Sequence, residues 1–420
     1  MSVTSNVSLG GTRTLTDKFG ELGVGLTDRV FIVGHADSDT VALNDPYIVR
    51  SLEDALEAFN STQEQLRESS TVAPPLIRAM LNCYHAGGRD IYLMRAAPLS
   101  EYEDYRQRDD SWYTAYYARL ETTYGVLSNL EQPMIIVPVG ADFESVKTWY
   151  NDPEGLSHDF FYQLAQHCLH APSIVYGLLP ARLRWPNYLE DDPRITGDWS
   201  EVLTDYDSGG NVWRTRTIDP RMNIGVVYGE GLFNRREIMT SFSFDLCATV
   251  AGSVSRMEAH LSPICENLHD VIALTTSLTT EQADSLAASR FITVGPTWQG
   301  WRGERGGFML LNDNTMAVSA SDFAHLSVLR LAQKVVEEIR PIAESYIGTP
   351  RLVEFRRDLT RVLELLKAQE IYRDYKAEID TLPGQLHELR VDIALYPYLC
   401  HRWIDVSVEL GPNRGFEVAY

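Results

Sequence analysis

What most constrains this chain is a series of short, almost wholly apolar runs separated by stretches of helical periodicity. Val30–His35 reads VFIVGH, Ile91–Met94 IYLM, Met134–Val139 MIIVPV, Ile174–Leu179 IVYGLL and Ile224–Tyr228 IGVVY. A strand with polar residues at alternate positions leaves one face to water, whereas a strand without them must be covered on both faces. The intervening segments can supply that cover. Ser51-Leu-Glu-Asp54 is a capping box opening a helix that runs through Phe59. Pro74 and Pro75 start a second helix, with Leu76, Ile77, Met80, Leu81 and Tyr84 at helical spacing and Gly87-Gly88 ending it. Ser111–Leu127 and His158–His170 read as two more. Strands and helices in this alternation predict an α/β domain around a mixed, mostly parallel sheet. Between Pro180 and Arg221 the periodicity stops and Trp, Asp, Pro and Gly dominate, so a long surface excursion is expected there.

The C-terminal third follows a different pattern. Asp322–Ile347 and Arg351–Ile371 read as amphipathic helices, the first with Phe323, Leu326, Leu329, Val336, Ile339 and Tyr346 along one side and a kink expected at Pro341. After Pro383-Gly384 come two alternating strands. Leu389, Val391, Ile393 and Leu395 oppose Glu388, Arg390 and Asp392 in the first; Ile404, Val406, Val408 and Leu410 oppose Asp405, Ser407 and Glu409 in the second. One wet and one buried face per strand is the pattern of a small antiparallel α+β domain. Residues 1–24 are rich in Gly, Ser and Thr, with Val3, Val7 and Leu9 on one side of a period-2 pattern. At the other end Phe416, Val418 and Tyr420 alternate after a Gly411–Gly415 hinge. Both termini therefore read as strands with no partner in their own sequence neighbourhood. The layout that follows is an N-terminal arm over 1–24, a larger α/β domain over 25–296 with its excursion at 181–221, a smaller α+β domain over 297–410, and a C-terminal strand arm over 411–420.

Charge divides the same way. The chain carries 37 Lys+Arg and 58 Asp+Glu, a net charge of -21. From Thr297 onward there are 15 basic and 18 acidic residues, against 22 and 40 before it. An acidic surface repels a phosphate backbone and gains nothing from counterion release, so nucleic acid is not an expected ligand. Hydrophobic residues at 44% leave ample material for cores. No apolar run approaches the ~18 residues of a membrane span, and the N-terminus lacks the layout of a signal peptide, so a soluble chain that is not secreted and does not insert into a membrane is expected.

Motifs of chemistry are missing. There is no GxxxxGK[ST], no GxGxxG between strand and helix, no GxSxG and no HExxH. The five cysteines, Cys83, Cys168, Cys247, Cys265 and Cys400, show no CxxC and no repeated spacing, which favours a reducing compartment over a disulfide framework. His167 and His170 flank Cys168 on one helix, a weak metal pattern without a second ligand pair. Asp205-Tyr-Asp207-Ser-Gly209 starts like a calcium loop but has Gly209 where Asp or Asn is wanted and Arg216 at the twelfth position, so it reads as a solvated acidic turn. His35, with Asp37 and Asp39, ends the first strand where a doubly wound fold holds ligands; an enzyme would recruit it, and a strand-end histidine needs no such role. No catalytic, cofactor-binding or metal-ligating residue is assigned.

Several segments in their order resemble the sheath subunits of contractile tails, those of myophages and of phage-like particles such as R-type pyocins. The resembling pieces are VFIVGHADSDTVALNDPYIVRSLEDALEAFN, LIRAMLNCYHAGGRDIYLMRA, CATVAGSVSRM, SLTTEQADSLAASRFITV, and the stretch from SDFAHLSVLRLAQKVVEEI to HRWIDVSVEL. The PGVYV-like opening of such arms is missing. The Gly-Ile-Asn triplet often found before the second domain is replaced by Arg290-Phe291-Ile292-Thr293, and the later Gly-x-Arg-Thr signature is reduced to Asn314-Thr315. A diverged sheath, or a sheath-like protein of a related machine, fits these departures.

The resemblance implies a structural protein and not an enzyme. Its terminal arms, here Val3, Val7, Leu9, Phe416, Val418 and Tyr420, would be strands donated to neighbouring subunits. Copies would build stacked hexameric rings, continued as a helix, around a tail tube protein, with baseplate and tail terminator proteins at the ends. The α/β domain would face outward and the α+β domain inward. Arg351, Arg356, Arg357 and Arg361 are the candidates to face the tube; the other reading has them solvated or paired with Glu354, Asp358 and Glu364. Contraction would be a rigid-body rearrangement without nucleotide or cofactor, in a virion tail assembled in the bacterial cytoplasm. A non-polymerising baseplate or tail-end adaptor of the same fold, and an α/β enzyme, are the alternatives.

Overall fold

A computed structural model describes residues 2–3, 29–62, 74–103, 107–130, 134–143, 159–171, 175–181, 193–197, 199–206, 212–235, 238–264, 266–268, 271–297, 307–317, 321, 323–346, 351–381, 389–398, 407–411 and 414–419. In chain order the first half runs β1 (Ser2–Val3), β2 (Arg29–His35), β3 (Pro46–Ile48), α1 (Leu52–Ala58), α2 (Pro75–His85), β4 (Ile91–Ala97), α3 (Asp110–Ser128), β5 (Met134–Pro138), α4 (Phe160–His170), β6 (Val175–Ala181), the short α5 (Pro193–Thr196), β7 (Glu201–Tyr206), β8 (Val212–Ile218) and β9 (Ile224–Tyr228). The second half runs β10 (Glu230–Arg235), β11 (Ile238–Asp245), α6 (Cys247–Ser255), β12 (Asn267–Leu268), β13 (Val271–Leu274), α7 (Thr280–Ala288), β14 (Val294–Pro296), β15 (Phe308–Leu310), α8 (Leu326–Ser345), α9 (Leu352–Ala368), β16 (Asp374–Thr381), β17 (Leu389–Tyr396), β18 (Ser407–Gly411) and β19 (Arg414–Ala419).

The five apolar runs form one sheet in the order β3-β4-β2-β5-β6-β9, parallel throughout except for the short edge strand β3. Alternation within each strand sends side chains to two different cores. Val30, Ile32, Leu93, Ile135, Val137 and Leu178 join one core with Leu76, Ile77 and Met80 of α2 and Val250 and Ala251 of α6. Phe31, Val33, Met94, Ile136, Leu179 and Val226 join the other with Trp112, Tyr116 and Leu120 of α3 and Phe161 and Leu164 of α4. Each fully buried side chain of this size contributes about 1.5–3 kcal/mol, so a polar substitution on either face of these strands is heavily penalised.

Helix starts follow their caps. Ser51, Asp109 and Asp159 each accept from backbone N–H groups of the first turn, and Thr279 with Gln282 forms a reciprocal capping box. α6 is buried along its whole length and packs so closely on α2 that a Cβ at Gly252 would lie 2.3 Å from the Cys83 carbonyl oxygen.

Three features depart from the sequence reading. The excursion is not structureless, because β7 and β8 pair as an antiparallel ribbon within it. Two small antiparallel sheets, β11-β10-β13 and β12-β15-β14, occupy a stretch where no strand is expected after Tyr228. The termini are paired within the chain: β19 lies antiparallel on its sequence neighbour β18, with Val408 opposite Val418, and β1 lies on β17. The reading of the C-terminal strand as lacking a local partner is corrected accordingly, whereas the partner of β1 lies at the far end of the chain and not in its own sequence neighbourhood. Few residues separate β18 from β19 in the sequence, so their pairing is local and costs little loop-closure entropy.

The small domain holds a third core. Phe355, Leu359, Leu363 and Leu366 of α9 pack with Leu331 and Val335 of α8 against Ile393 and Leu395 of β17. α8 belongs to both regions, since Leu326 and Leu329 lie in the first core of the large sheet. Pro341 sits inside this helix.

Candidate assembly surfaces

The chain passes from β2 outward to β4 and then back across to β5, so the sheet order reverses between β2 and β5. That reversal opens a crevice at the strand ends where open α/β folds bind ligands. Here side chains fill it. His35, at the end of β2, is 1% exposed and lies 4.4 Å from the Tyr116 ring and 5.4 Å from the Tyr102 ring. Arg108 donates to the Gly140 carbonyl oxygen at 2.6 Å, faces Asp142 at 3.3 Å and lies 4.1 Å over the Trp112 ring. Gly140 makes the turn at positive φ, and the Tyr116 hydroxyl donates to the Val139 carbonyl oxygen at 2.6 Å. Burial, with Arg108 and Arg119 adding repulsion, lowers the His35 pKa to about 3, so the ring is neutral. Asp37 accepts from the Leu99 N–H at the surface, and Asp39 is exposed. The three residues an enzyme would have recruited are thus divided between a sealed core and solvent.

The helical His/Cys group is likewise committed to packing. His167 stacks on Tyr124 at 4.8 Å, and burial lowers its pKa to about 4; His170 is exposed and bonds Gln166. Cys83, Cys168 and Cys247 are free and buried, and burial raises the thiol pKa of Cys83 and Cys168. Among the described residues no group of three His, Cys, Asp or Glu side chains could hold a metal ion, and no helix is long and apolar enough to cross a membrane. Cys265 and Cys400 lie outside the described residues, as does the tip of the acidic turn beginning at Asp207.

A cavity of about 1030 Å³ lies between α7 and β14, lined by Leu278, Ala283, Ala287, Arg290, Asn312 and His325 among others. The buried Asp313 beside it faces His325 Nδ1 at 3.2 Å and accepts from the hydroxyls of Ser327 and Ser262 at 2.8 and 3.2 Å. Leu326 N–H donates to the Asp313 carbonyl oxygen at 2.8 Å. These bonds fasten the start of α8, so the Asp–His pair has a structural duty.

The small domain presents a different kind of surface. Its sheet runs β1-β17-β16, with both helices on one face. Ser2 stands opposite Ala394 and Val3 opposite Ile393, so the N-terminus occupies one edge of a two-stranded hairpin. Val7, Leu9 and Tyr420 lie outside the described residues; Phe416 and Val418 are on β19. On the other face Lys376 pairs with Glu378 at 2.6 Å, and Tyr396 is exposed.

Arg356, Arg357 and Arg361 lie on α9 and Arg351 stands at its N-cap, all four exposed. Arg351 faces Glu354 at 3.4 Å, Arg357 faces Asp358 at 3.2 Å, and Arg356 donates to the Ile379 carbonyl oxygen at 2.8 Å. Pairing with Glu354 and Asp358 is thus realised for two of them, in exposed geometry that is weak and easily exchanged. Glu364 instead accepts from the Tyr375 hydroxyl, which burial and that bond push up to about 12. Arg361 lines a shallow groove with Ile342, Val362 and Leu365. Val353, 81% exposed, and Leu365 make this side of the helix less polar than a purely solvated face would be.

Sequence reasoning had no signal for the Arg108, Trp112, Tyr102 and Asp142 plug, because these residues come from the first turn of α3 and from separate loops and converge only in the fold. β16 was legible in principle: Tyr375, Ala377 and Ile379 alternate with Asp374, Lys376 and Glu378.

No protein-family model matches the chain, and no curated protein matches it. Solved structures do. A chain of the anti-feeding prophage (AFP) baseplate in contracted state is similar over 94% of this chain and 97% of its own length, with 14% identity and a TM-score of 0.63. The AFP helical sheath in contracted state is similar over 97% of this chain and 94% of its own, with 12% identity and a TM-score of 0.58. The sheath tail protein from Desulfitobacterium hafniense is similar over 90% of this chain and 99% of its own, with 7% identity and a TM-score of 0.52. This chain has the fold of contractile-sheath proteins, as the sequence resemblance anticipates.

Proposed function

We propose that this chain, having the fold of contractile-sheath proteins, is a structural subunit of a contractile tail sheath or of a related contractile injection machine, and that it acts by polymerising. The observation that carries the reading is the terminal strand β1 added to the open edge of β17. The same backbone ladder can be made by the terminus of an adjoining copy, with the same register and the same hydrogen bonds, so exchange between copies costs little and links them mechanically. Residues 4–28 connect that strand to β2 in the sequence. Val3, Val7 and Leu9 on one arm, and Phe416, Val418 and Tyr420 on the other, are the proposed inter-subunit strands.

Copies stack as hexameric rings around a tail tube protein, with baseplate and tail terminator proteins as end partners. The larger region, over 25–296, faces outward and the smaller one, over 297–410, faces the tube. Arg351, Arg356, Arg357 and Arg361 of α9 meet an acidic tube through weak pairs that break during sliding. Contraction is a rigid-body rearrangement out of a metastable extended state, with the strand mesh intact and no nucleotide consumed. The assembly belongs to the tail of a virion or phage-like particle built in the bacterial cytoplasm.

A second reading is an adaptor that forms a single ring; the similarity to a chain of the AFP baseplate favours it. Negative-stain electron microscopy of the purified protein across a concentration series, with and without the cognate tube protein, separates these. Cylinders with sixfold end views support the sheath, and single rings the adaptor. Monomers that stay monomeric even on tubes would sink both.

A further inference from the structure

β16 forms the second edge of the small sheet, with β17 on one side and no strand on the other among the described residues. Its eight residues keep unbroken register with β17. The Arg373 N–H donates to the Tyr396 carbonyl oxygen at 2.8 Å, so Tyr396 turns its backbone groups toward β16. Along an antiparallel strand such groups point alternately toward the partner and away from it. In this register Asp374, Lys376 and Glu378 therefore bond β17, while Tyr375, Ala377 and Ile379 turn their N–H and carbonyl groups outward. Side chains have taken two of the outward groups. Asp374 Oδ1 accepts from the Tyr375 N–H at 3.0 Å and from Lys367 Nζ at 2.8 Å, and Arg356 Nη2 donates to the Ile379 carbonyl oxygen at 2.8 Å.

A bare edge invites uncontrolled pairing, and charged side chains blunt it. Here they do so at the backbone groups that an added strand would use, one on each side of Ala377. Both contacts are exposed and easily exchanged. β1 already lies along β17, so β16 is the remaining edge for a second strand. We propose that Arg356 and Asp374 are a latch on the β16 edge, holding it closed in the free subunit and giving way when the C-terminal strand of an adjoining copy takes over their backbone partners. The inference rests on the reading of the arms as inter-subunit strands, and adds what keeps this edge shut until another copy arrives. β19 is the occupant because it is the remaining arm: six residues long, it pairs only with β18 among the described residues and has an outer edge of its own to offer.

The test titrates a fluorescent peptide of residues 411–420 with dilute full-length wild type and with the double variant Arg356→Ala/Asp374→Ala, reading anisotropy. The variant is expected to bind roughly twofold or more tighter, with Arg356→Ala alone acting in the same direction and Arg356→Lys, which keeps a donor, staying near wild type. Hydrogen exchange of the Ala377 amide should slow in the peptide-bound protein. Equal or weaker binding by the alanine variants, or an Ala377 amide that exchanges as fast with peptide as without, would overturn the latch. Electron microscopy of the wild type judges the sheath reading separately. Particles formed despite equal peptide binding leave the sheath standing without the latch, and tighter peptide capture by the variant without particles supports the latch while removing the polymer.

Discussion

The six-stranded sheet is built from uninterrupted apolar strands and the three-stranded sheet from alternating ones, and the two differ in what they leave uncovered. The large sheet is sealed on both faces, its one short edge strand is antiparallel, and even its ligand crevice is filled by His35, Arg108 and Trp112. The small sheet has helices on one face only and takes the chain's own N-terminus along an edge. Full burial leaves no backbone group for a partner, whereas an edge leaves a row of them, which is a liability in a monomer and the means of assembly in a polymer. On the proposed reading, one region serves as a body and the other as a joint.

The largest effect is expected at the joint. Ala394→Pro removes an N–H from the strand that faces Ser2, and truncation of residues 1–20 or 412–420 removes the arms; each should abolish assembly in electron micrographs while leaving the large body's melting transition in place. The body should respond in the opposite way. Phe31→Ala should cost about 3–5 kcal/mol in denaturant unfolding, and Gly252→Val, forcing a side chain onto the Cys83 carbonyl, about 1–3 kcal/mol.

Acid probes the sealed body more gently. His35 and His167 are neutral when folded, with pKa values of about 3 and about 4, and both return to about 6.5 when unfolded. Below pH 6.5 the unfolded chain binds more protons, so stability falls with pH by roughly 1.4 kcal/mol per unit for each histidine, levelling off as pH passes below the folded values. Unfolding curves at pH 7, 5 and 4 should show this slope, and His35→Phe should remove its share. The smallest effect on the subunit itself is expected on α9: Arg357→Ala with Arg361→Ala should change unfolding by less than ~0.5 kcal/mol yet weaken co-sedimentation with the tube protein. Equal tube binding by that variant would break the proposed division between body and joint.

The sequence made the large sheet legible because its strands are apolar without interruption, and VFIVGH or IGVVY can be satisfied only by cover on both faces. It made α9 legible through helical spacing, and the first alternating strand of the small domain through period 2. It did not disclose β10, β11 and β13, whose partners are joined by register and not by pattern, nor the ribbon β7–β8, whose polar strands carry no core-facing stripe. The arginine candidates were visible as a cluster on one helix, but their present partners were not, since exposed ion pairs depend on side-chain placement.

By itself the sequence determined which segments must be buried, where helices start, and that no motif of chemistry is present, because burial and capping are properties of local residue order. Only the tertiary structure decided that the crevice beside His35 is plugged, that the excursion is pinned by Arg194 and Arg221, and that the N-terminus lies on β17. Each of these joins residues distant along the chain, and local periodicity carries no information about which distant groups meet.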